Sequence, residues 1–337
     1  MSSREPSAVI FGCTGRHLSD TERAFFRDAD PLGFILFQRN CETPEQLRRL
    51  IGDLRQSVGR ADAFVLIDQE GGRVQRLKPP HWPIYPAAAQ LAALGGARAK
   101  EAVALGARLI ADDLAALGIT VDCLPVLDIP VAEADPVIGD RAYGHSAEQV
   151  AALARAACEG LLAGGVLPVL KHIPGHGRAT VDSHAALPRV DAPRAVLQAS
   201  DFAPFRALAE MPLAMTAHIV YTALDAERPA TLSRRVIDGV VRSSIGFDGM
   251  LLTDDLSMRA LGGSFAARTA DALAAGCDVV LHCNGDMAEM TEIAGAVRPL
   301  DAAGRARLDR AEARRVAAQA IDRPALEARF RALTGTA

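Results

Sequence analysis

The chain has 337 residues, of which 50% are hydrophobic, 23% are charged and 4% are aromatic, and its formal net charge is −4. This apolar fraction is too high for a disordered chain, and the slight acidity argues against a generic nucleic-acid binder. No lysine follows a glycine, which excludes the Gly-Lys pair of a Walker A phosphate-binding loop.

Short apolar runs alternate with longer helical patterns along the chain. Eight of these runs are near-continuously apolar, and most are rich in Val, Leu and Ile, as is typical of strands buried on both faces. In chain order they are residues 8–13, 33–37, 64–68, 120–124, 166–172, 213–218, 250–254 and 277–282.

Three of the intervening segments have clear helical patterns. Residues 43–58 begin with Thr43 as a cap and Pro44 in the first turn, residues 90–117 are long and rich in alanine, and residues 147–164 form a third amphipathic pattern. Strands alternating with helices favour a TIM (β/α)8 barrel over a doubly wound open sheet, for which the GxGxxG fingerprint is missing. We therefore expect a single barrel domain over residues 1–337, with residues 299–337 as terminal helices.

The cysteine pattern and the N-terminus indicate a cytoplasmic protein. The six cysteines are scattered through apolar surroundings without a CxxC pair, which favours reduced thiols. The longest uncharged apolar stretch, residues 160–170, is far shorter than the roughly 20 residues of a membrane span. The N-terminal apolar run is too short and too poorly flanked for a signal peptide. We expect a monomer that binds neither membrane nor nucleic acid.

Polar side chains end four of the predicted strands. They are Asp68, Lys171 with His172, His218, and Asp254 with Asp255. Barrel enzymes place their chemistry at the C-terminal ends of strands, so these side chains should converge at one rim. One such ending is ordinary for a loop residue, but four together favour a site. The two adjacent carboxylates cannot share one role, so one should face the barrel mouth and the other turn away.

The densest cluster of candidate residues is the segment 171–177 (KHIPGHG), followed by Asp182, Ser183 and His184. Its proline and glycines preclude a helix. On an extended loop, Asp182 and His184 would project to the same side. The carboxylate could then hold one imidazole nitrogen and leave the other free for acid/base chemistry. A structural contact that ties down the loop is the alternative.

The segment after the third strand combines acids and arginines that suit recognition of sugar hydroxyls. It contains Asp68, Glu70, Arg73 and Arg76, and Arg141 is a further candidate. For Glu70 and Arg73 we expect a surface ion-pair network, a role that is less expected for Asp68.

Residue types alone leave other functions open beside a glycosidase. A metal-dependent hydrolase could use His172, His176 and His184, although the proline and glycine between the first two exclude a helical zinc pair. A Schiff-base lyase could use Lys171. A non-catalytic binding barrel is the third alternative.

Segment 171–177 with Asp182, Ser183 and His184 resembles the signature of glycoside hydrolase family 3 β-N-acetylglucosaminidases. Four further segments accompany it in the family order: residues 34–40 (FILFQRN), 68–72 (DQEGG), 217–221 (AHIVY) and 253–258 (TDDLSM). The resemblance covers about residues 8–285 and is to short bacterial enzymes of peptidoglycan recycling. Those are cytoplasmic TIM barrels that remove non-reducing terminal GlcNAc from GlcNAc-anhydroMurNAc, with or without its peptide.

The resemblance implies a retaining reaction through a covalent glycosyl-enzyme, without metal or cofactor. Asp254 would be the nucleophile, and His184, oriented by Asp182, the general acid and then the base. This differs from the usual pair of carboxylates, but imidazole titrates near neutral pH with little tuning. The sugar-binding positions of the family map onto Asp68, Arg76, Arg141, Lys171 and His172.

The glycines on both sides of His176 and the loop-like composition up to Asp182 predict a mobile segment over residues 175–184. We expect this segment to bring His184 into place when substrate binds.

Overall fold

Eight parallel strands close into a barrel in the computed structural model, which describes residues 5–335. Each strand pairs with the next along the chain, and the last pairs with the first. In chain order the strands are β1 (Ser7–Gly12), β2 (Pro31–Leu36), β3 (Phe64–Ile67), β4 (Val121–Asp122), β5 (Leu167–Ile173), β6 (Leu213–Thr216), β7 (Met250–Asp255) and β8 (Val279–His282).

The predicted TIM barrel is confirmed, and each predicted strand overlaps one of these eight. The largest difference is at β4, which has two residues where the sequence predicted 120–124. The N–H of Leu124 turns back to the carbonyl of Asp122, and Pro125 has no N–H to donate, so the ladder is interrupted there. Pairing resumes at Val126, which bridges to Lys171 of β5.

The helices surround the barrel. They are α1 (Asp20–Ala29), α2 (Pro44–Ser57), α3 (Ala88–Ala92), α4 (Gly96–Ala115), α5 (Ala147–Ala163), α6 (Arg194–Ala199), α7 (Ala203–Ala207), α8 (Arg234–Val236, continued by π-helical turns over Ile237–Ile245), α9 (Phe265–Ala275), α10 (Met287–Ala296), α11 (Ala302–Arg314) and α12 (Arg323–Thr334). None of the helices within residues 5–335 is both long enough and apolar enough to cross a membrane.

The starts of the helices follow the sequence signals closely. The side chain of Thr43 accepts a hydrogen bond from the N–H of Gln46 and caps α2, with a proline in the first turn. The prediction of one helix over residues 90–117 was wrong, because α3 and α4 are separate. Gly95, the N-cap of α4, and Gly96, its first residue, have φ of 72° and 50°, which lie outside the right-handed helical region and prevent α3 from continuing into α4.

The last helix, α12, packs against α4 on the outside of the barrel. Arg323 of α12 pairs with Asp112 and Asp113 at the end of α4. The ring of Phe330 lies against Gly106 of α4, where a Cβ would stand 3.0 Å from the ring.

The C-terminal ends of the barrel strands carry the longer connections. A short antiparallel hairpin (Gln69–Gly71 with Val74–Gln75) follows β3. A parallel pair (Arg189–Val190 with Val220–Tyr221) joins the connections after β5 and β6. The strands below are almost fully buried, so these connections stand on a rigid base.

Candidate active site

A cavity of about 380 Å³ opens at the C-terminal ends of the barrel strands. Its wall includes every residue to which the family resemblance assigns a role: Asp68, Arg76, Arg141, Lys171, His172, Asp182, His184 and Asp254. A larger cavity of about 690 Å³ lies at the other end of the barrel, where Arg307 and Arg310 pair with Asp248. Of these two cavities, the first brings together side chains from several strand ends in the way that barrel enzymes use.

A network of charges occupies the wall of this cavity beside β3 and β5. Lys171 Nζ lies 2.8 Å from Asp68 Oδ1 and 2.6 Å from Glu70 Oε1. Arg76 donates to Asp68 Oδ2 at 3.0 Å, and Arg141 donates to both oxygens of Glu70 at 2.9 and 2.8 Å. Two carboxylates therefore hold three cations in fixed positions.

The charges in this network stabilise one another. Burial by itself would raise the pKa of Asp68, but Lys171 and Arg76 hold it well below its usual value. Burial would also raise the pKa of Glu70, but Arg141 and Lys171 lower it to about 2. Burial would lower the pKa of Lys171, yet Asp68 and Glu70 raise it above its usual value. Its amine is protonated, so the arrangement offers no nucleophile for Schiff-base chemistry.

Glu70 corrects an expectation from the sequence. We expected Glu70 and Arg73 in a surface ion-pair network, and Arg73 does pair with Asp140 at the surface, at 2.9 Å. Glu70 is instead buried at the centre of the charge network. The difference arises because Glu70 lies in the hairpin after β3, which folds over the barrel and turns its side chain inward.

Asp254, near the end of β7, presents an ionised carboxylate to the cavity. Its Oδ1 accepts the N–H of Asp255 at 2.8 Å, and its Oδ2 lies 3.9 Å from His172 Nε2. Burial would raise the pKa of Asp254, but the neighbouring imidazoles of His172 and His218 and the hydrogen bond from the N–H of Asp255 hold it below its usual value. A carboxylate in this state can act as a nucleophile.

Asp255 has the separate role that two adjacent carboxylates require. Its Oδ1 accepts from the N–H groups of Ser257 (3.0 Å) and Cys283 (3.2 Å), and its Oδ2 accepts from Ser257 Oγ at 2.6 Å. Its carbonyl lies 3.1 Å from His218 Nε2. Asp255 therefore fixes the turn after β7, and Asp254 is left to face a ligand.

The turn over residues 182–186 carries the imidazole and carboxylate pair. Asp182 Oδ1 lies 2.8 Å from His184 Nδ1 and also accepts the N–H of His184 at 2.9 Å. We expected this contact on an extended loop, but the N–H groups of Ala185 and Ala186 both bond to the carbonyl of Asp182, which makes the segment a turn. Burial would raise the pKa of Asp182, but its hydrogen bonds from His184 lower it below its usual value.

Ser183 anchors this turn to two other elements. Its Oγ lies 3.2 Å from His176 Nε2, and its carbonyl accepts the N–H of Ala260 from the loop after β7 at 3.2 Å. Burial and the neighbouring His172 lower the pKa of His176 to about 4, so its ring is neutral. Ser183 is buried, whereas the side chain of the adjacent His184 is mostly exposed.

The first part of the segment predicted to be mobile is tightly packed. A Cβ on Gly177 would stand 2.0 Å from the carbonyl oxygen of Ile129, so the two backbones are in direct contact. Arg178 pairs with Asp201 at 2.8 Å, and the side chain of Ala179 is buried. The mobility of residues 175–184 stays a prediction.

Asp128 is a member of the site that sequence reasoning missed. It is fully buried and accepts hydrogen bonds from the ring of His172 and from the backbone N–H groups of His172 and His176. The signal was present, because Asp128 ends the apolar run Val126-Leu127 as Asp68 ends β3. The predicted strand stopped at residue 124, so this ending was not counted.

The histidines of segment 171–184 do not form a metal-binding group. The rings of His172 and His176 are 5.5 Å apart between centroids. Within residues 5–335, however, no three His, Cys, Asp or Glu side chains are arranged to hold a metal ion together. The alternative of a metal-dependent hydrolase using His172, His176 and His184 therefore has no set of ligands there.

Known proteins are similar to this chain over most of its length. Residues 12–318 match the glycosyl hydrolase family 3 N-terminal domain. A β-hexosaminidase from Methylococcus capsulatus is 38% identical over 89% of this chain and 93% of its own length. One from Alkalilimnicola ehrlichii is 40% identical over 82% of this chain and 80% of its own length. NagZ from Neisseria gonorrhoeae, in complex with N-trifluoroacetyl-D-glucosamine, is 31% identical with a TM-score of 0.88, covering 99% of this chain and 100% of that one.

Proposed function

Because this chain belongs to glycosyl hydrolase family 3 and is a β-N-acetylhexosaminidase, we propose that it releases terminal GlcNAc from peptidoglycan fragments through a covalent glycosyl-enzyme. Asp254 is the nucleophile, and His184, held by Asp182, is the general acid and base. The observation that carries the proposal is that the ionised Asp254 and the His184–Asp182 pair line one cavity.

In the first step, protonated His184 donates the hydrogen on its Nε2 to the glycosidic oxygen. Its Nδ1 is occupied by Asp182, so Nε2 is the nitrogen that reaches substrate. Asp254 Oδ2 attacks the anomeric carbon as the bond to the leaving oxygen breaks. Asp182 stabilises the imidazolium before transfer, as an orienting carboxylate does in other acid/base pairs.

In the second step, neutral His184 takes a proton from water at Nε2, and the water oxygen attacks the anomeric carbon. The bond to Asp254 breaks, which returns the carboxylate and the protonated imidazole. Two inversions at one carbon give net retention. General acid/base catalysis of this kind contributes roughly 10²- to 10⁴-fold to a rate.

The charge network holds the sugar. Lys171, Arg76 and Arg141 are fixed by Asp68 and Glu70, so their remaining N–H groups point from rigid positions towards sugar hydroxyls and the N-acetyl oxygen. Asp68 accepts from hydroxyl groups. His172 contributes Nε2, because Nδ1 is bonded to Asp128.

The cavity supports exo action on a small fragment. About 380 Å³ is at the lower end of the range for ligand sites and suits one terminal sugar, with the rest of the substrate outside. The resemblance to enzymes of peptidoglycan recycling favours GlcNAc-anhydroMurNAc, with or without its peptide, as the natural fragment. We propose the cytoplasm as the place of action for the same reason.

The covalent intermediate can be trapped with a 5-fluoro GlcNAc fluoride, which slows the second step. We expect a mass increase of one fluorosugar on the intact chain and, after proteolysis, on the peptide that contains Asp254. The Asp254→Asn variant is the matched control and should remain unlabelled. An adduct on another residue, or inversion of configuration seen by NMR of the first product, would contradict the mechanism.

The substrate assignment needs a separate comparison. We expect kcat/KM for GlcNAc-anhydroMurNAc to exceed that for chitobiose, which ends in the same sugar and differs only in the leaving group. A higher value for chitobiose would contradict the peptidoglycan assignment and leave the chemistry at Asp254 intact.

A further inference from the structure

The buried carboxylate of Asp128 connects two halves of the site: His172 beside Asp254, and the loop that carries His184. Its Oδ2 lies 2.7 Å from His172 Nδ1. Its Oδ1 accepts the backbone N–H of His172 at 3.1 Å and that of His176 at 2.6 Å. Asp128 is fully buried, and these three hydrogen bonds connect it to β5 and to the residues that follow β5.

We infer that Asp128 is a positioning residue that keeps the hydrogen of His172 on Nδ1 and its Nε2 free for substrate beside Asp254, while it fixes the base of the loop that carries His184. The inference goes beyond the proposed function and rests on it for the roles of Asp254 as nucleophile and His184 as general acid.

The contacts of His172 determine where its hydrogen lies. An ionised carboxylate only accepts hydrogen bonds, so the 2.7 Å contact with Asp128 requires a hydrogen on Nδ1. The pKa of Asp128, which burial would raise, is held below its usual value by the neighbouring His172 ring and its hydrogen bond. On the other side of the ring, Nε2 lies 3.9 Å from Asp254 Oδ2, which is too far for a hydrogen bond. Nε2 therefore remains available for a sugar hydroxyl.

The second half of the site depends on Asp128 through His176. The N–H of His176 bonds to Asp128, and the ring of His176 contacts Ser183 Oγ at 3.2 Å. Ser183 lies between Asp182 and His184 in the turn. A shift of the His176 backbone would therefore move the anchor of the general acid, and a rotation of the His172 ring would change the surroundings of Asp254.

The Asp128→Asn substitution tests these positioning functions while it keeps a side chain of the same shape in the buried site. Asparagine keeps an oxygen for the two backbone N–H groups but places an NH₂ group opposite His172 Nδ1, so the ring must move its hydrogen to Nε2. That hydrogen would then point at Asp254 and remove the acceptor offered to substrate. We expect kcat to fall by about 10²- to 10⁴-fold, since replacing the orienting aspartate of a Ser-His-Asp triad by asparagine lowers kcat by about 10⁴ through the wrong tautomer.

Asp278→Asn is the matched control. Asp278, whose side chain is 6% exposed, likewise accepts a backbone N–H, that of Leu251, together with side-chain donors, but it precedes β8 at the far end of the barrel. We expect this variant to have a lower Tm and the wild-type kcat per folded molecule. A low kcat in both variants would mean that any buried aspartate has this effect, and would overturn the inference.

The tautomer of His172 can be read directly by long-range ¹H–¹⁵N NMR, independently of activity. We expect a hydrogen on Nδ1 in the wild type and on Nε2 alone in Asp128→Asn. A wild-type ring protonated only on Nε2, or an Asp128→Asn variant with kcat within twofold of wild type, would overturn the inference. Neither result depends on trapping at Asp254, so failure of the nucleophile assignment would be seen separately as an unlabelled Asp254 peptide.

Discussion

The two catalytic groups stand in contrasting surroundings. The side chain of Asp254 is 17% exposed and that of its neighbour His172 is 9% exposed, and both are built on barrel strands. The side chain of His184 is 68% exposed and stands on a turn outside the barrel. The charge state of the nucleophile is thus set by the fold, whereas the surroundings of the acid are completed only when substrate covers it. Rigid strands position groups more exactly than loops, which can adjust.

Replacing the nucleophile tests the rigid side of this contrast and should have the largest effect. In Asp254→Asn the amide cannot form the glycosyl ester, so we expect kcat to fall by at least about 10⁴-fold. The assay is release of GlcNAc from a nitrophenyl glycoside and from GlcNAc-anhydroMurNAc.

Asp255→Asn is the control for Asp254→Asn. Asp255 is occupied by Ser257 and Cys283, so its replacement should lower Tm and leave kcat within about tenfold of wild type. If Asp255→Asn were inactive and Asp254→Asn active, the two roles would be reversed.

Replacing the acid tests the exposed side. In His184→Ala we expect kcat/KM for GlcNAc-anhydroMurNAc to fall by roughly 10²- to 10³-fold, because its sugar leaving group needs protonation. The loss should be much smaller with a nitrophenyl leaving group, which departs without a proton. Addition of azide should then yield a β-glycosyl azide, because a small anion needs no base. An equal loss on both substrates would contradict the acid role.

Releasing the anchor of the acid should have a smaller effect. Ser183→Ala removes the contact with His176 Nε2 and keeps the backbone bond from Ala260. A buried hydrogen bond of this kind contributes about 1 kcal/mol, so we expect up to a roughly tenfold loss in kcat/KM. Amide hydrogen exchange should become faster over residues 180–186 and stay unchanged in β7. Unchanged exchange together with unchanged kcat/KM would show that Ser183 does not hold the turn.

The sequence was most informative where a residue's role follows from its place at a strand end. The eight strands were evident because parallel strands buried on both faces read as apolar runs, and Asp68, Lys171, His172 and Asp254 were found at their ends. Glu70 was misplaced because nothing local shows that its hairpin folds inward. Asp128 was missed because it lies beyond the predicted end of its strand at residue 124, and because its partners, His172 and His176, lie more than 40 residues away. Contacts of that kind are fixed by tertiary structure, which local patterns do not report.

We expect the smallest effect on activity from a substitution at Asp122. Its effect on stability should instead depend on pH. Asp122 is fully buried at the end of β4 and accepts the N–H of Gln69 at 2.9 Å. Burial raises the pKa of Asp122 to about 8, so its carboxyl is neutral at pH 7. The folded chain therefore keeps a proton on Asp122 that the unfolded chain releases above about pH 4. Because of this difference, Asp122 makes the free energy of unfolding fall as pH rises from about 4 to 8.

Asparagine cannot ionise, so Asp122→Asn should remove that decline. We compare the free energy of unfolding of the variant with that of wild type at each pH. We expect the variant's advantage to be larger at pH 8 than at pH 5 by at least about 1 kcal/mol. Its kcat should stay within about twofold, because asparagine still accepts from Gln69. Denaturant unfolding of both proteins at the two pH values measures the difference. If the difference between the two proteins is the same at pH 5 and pH 8, Asp122 is ionised in the folded barrel and adds a buried negative charge beneath the site.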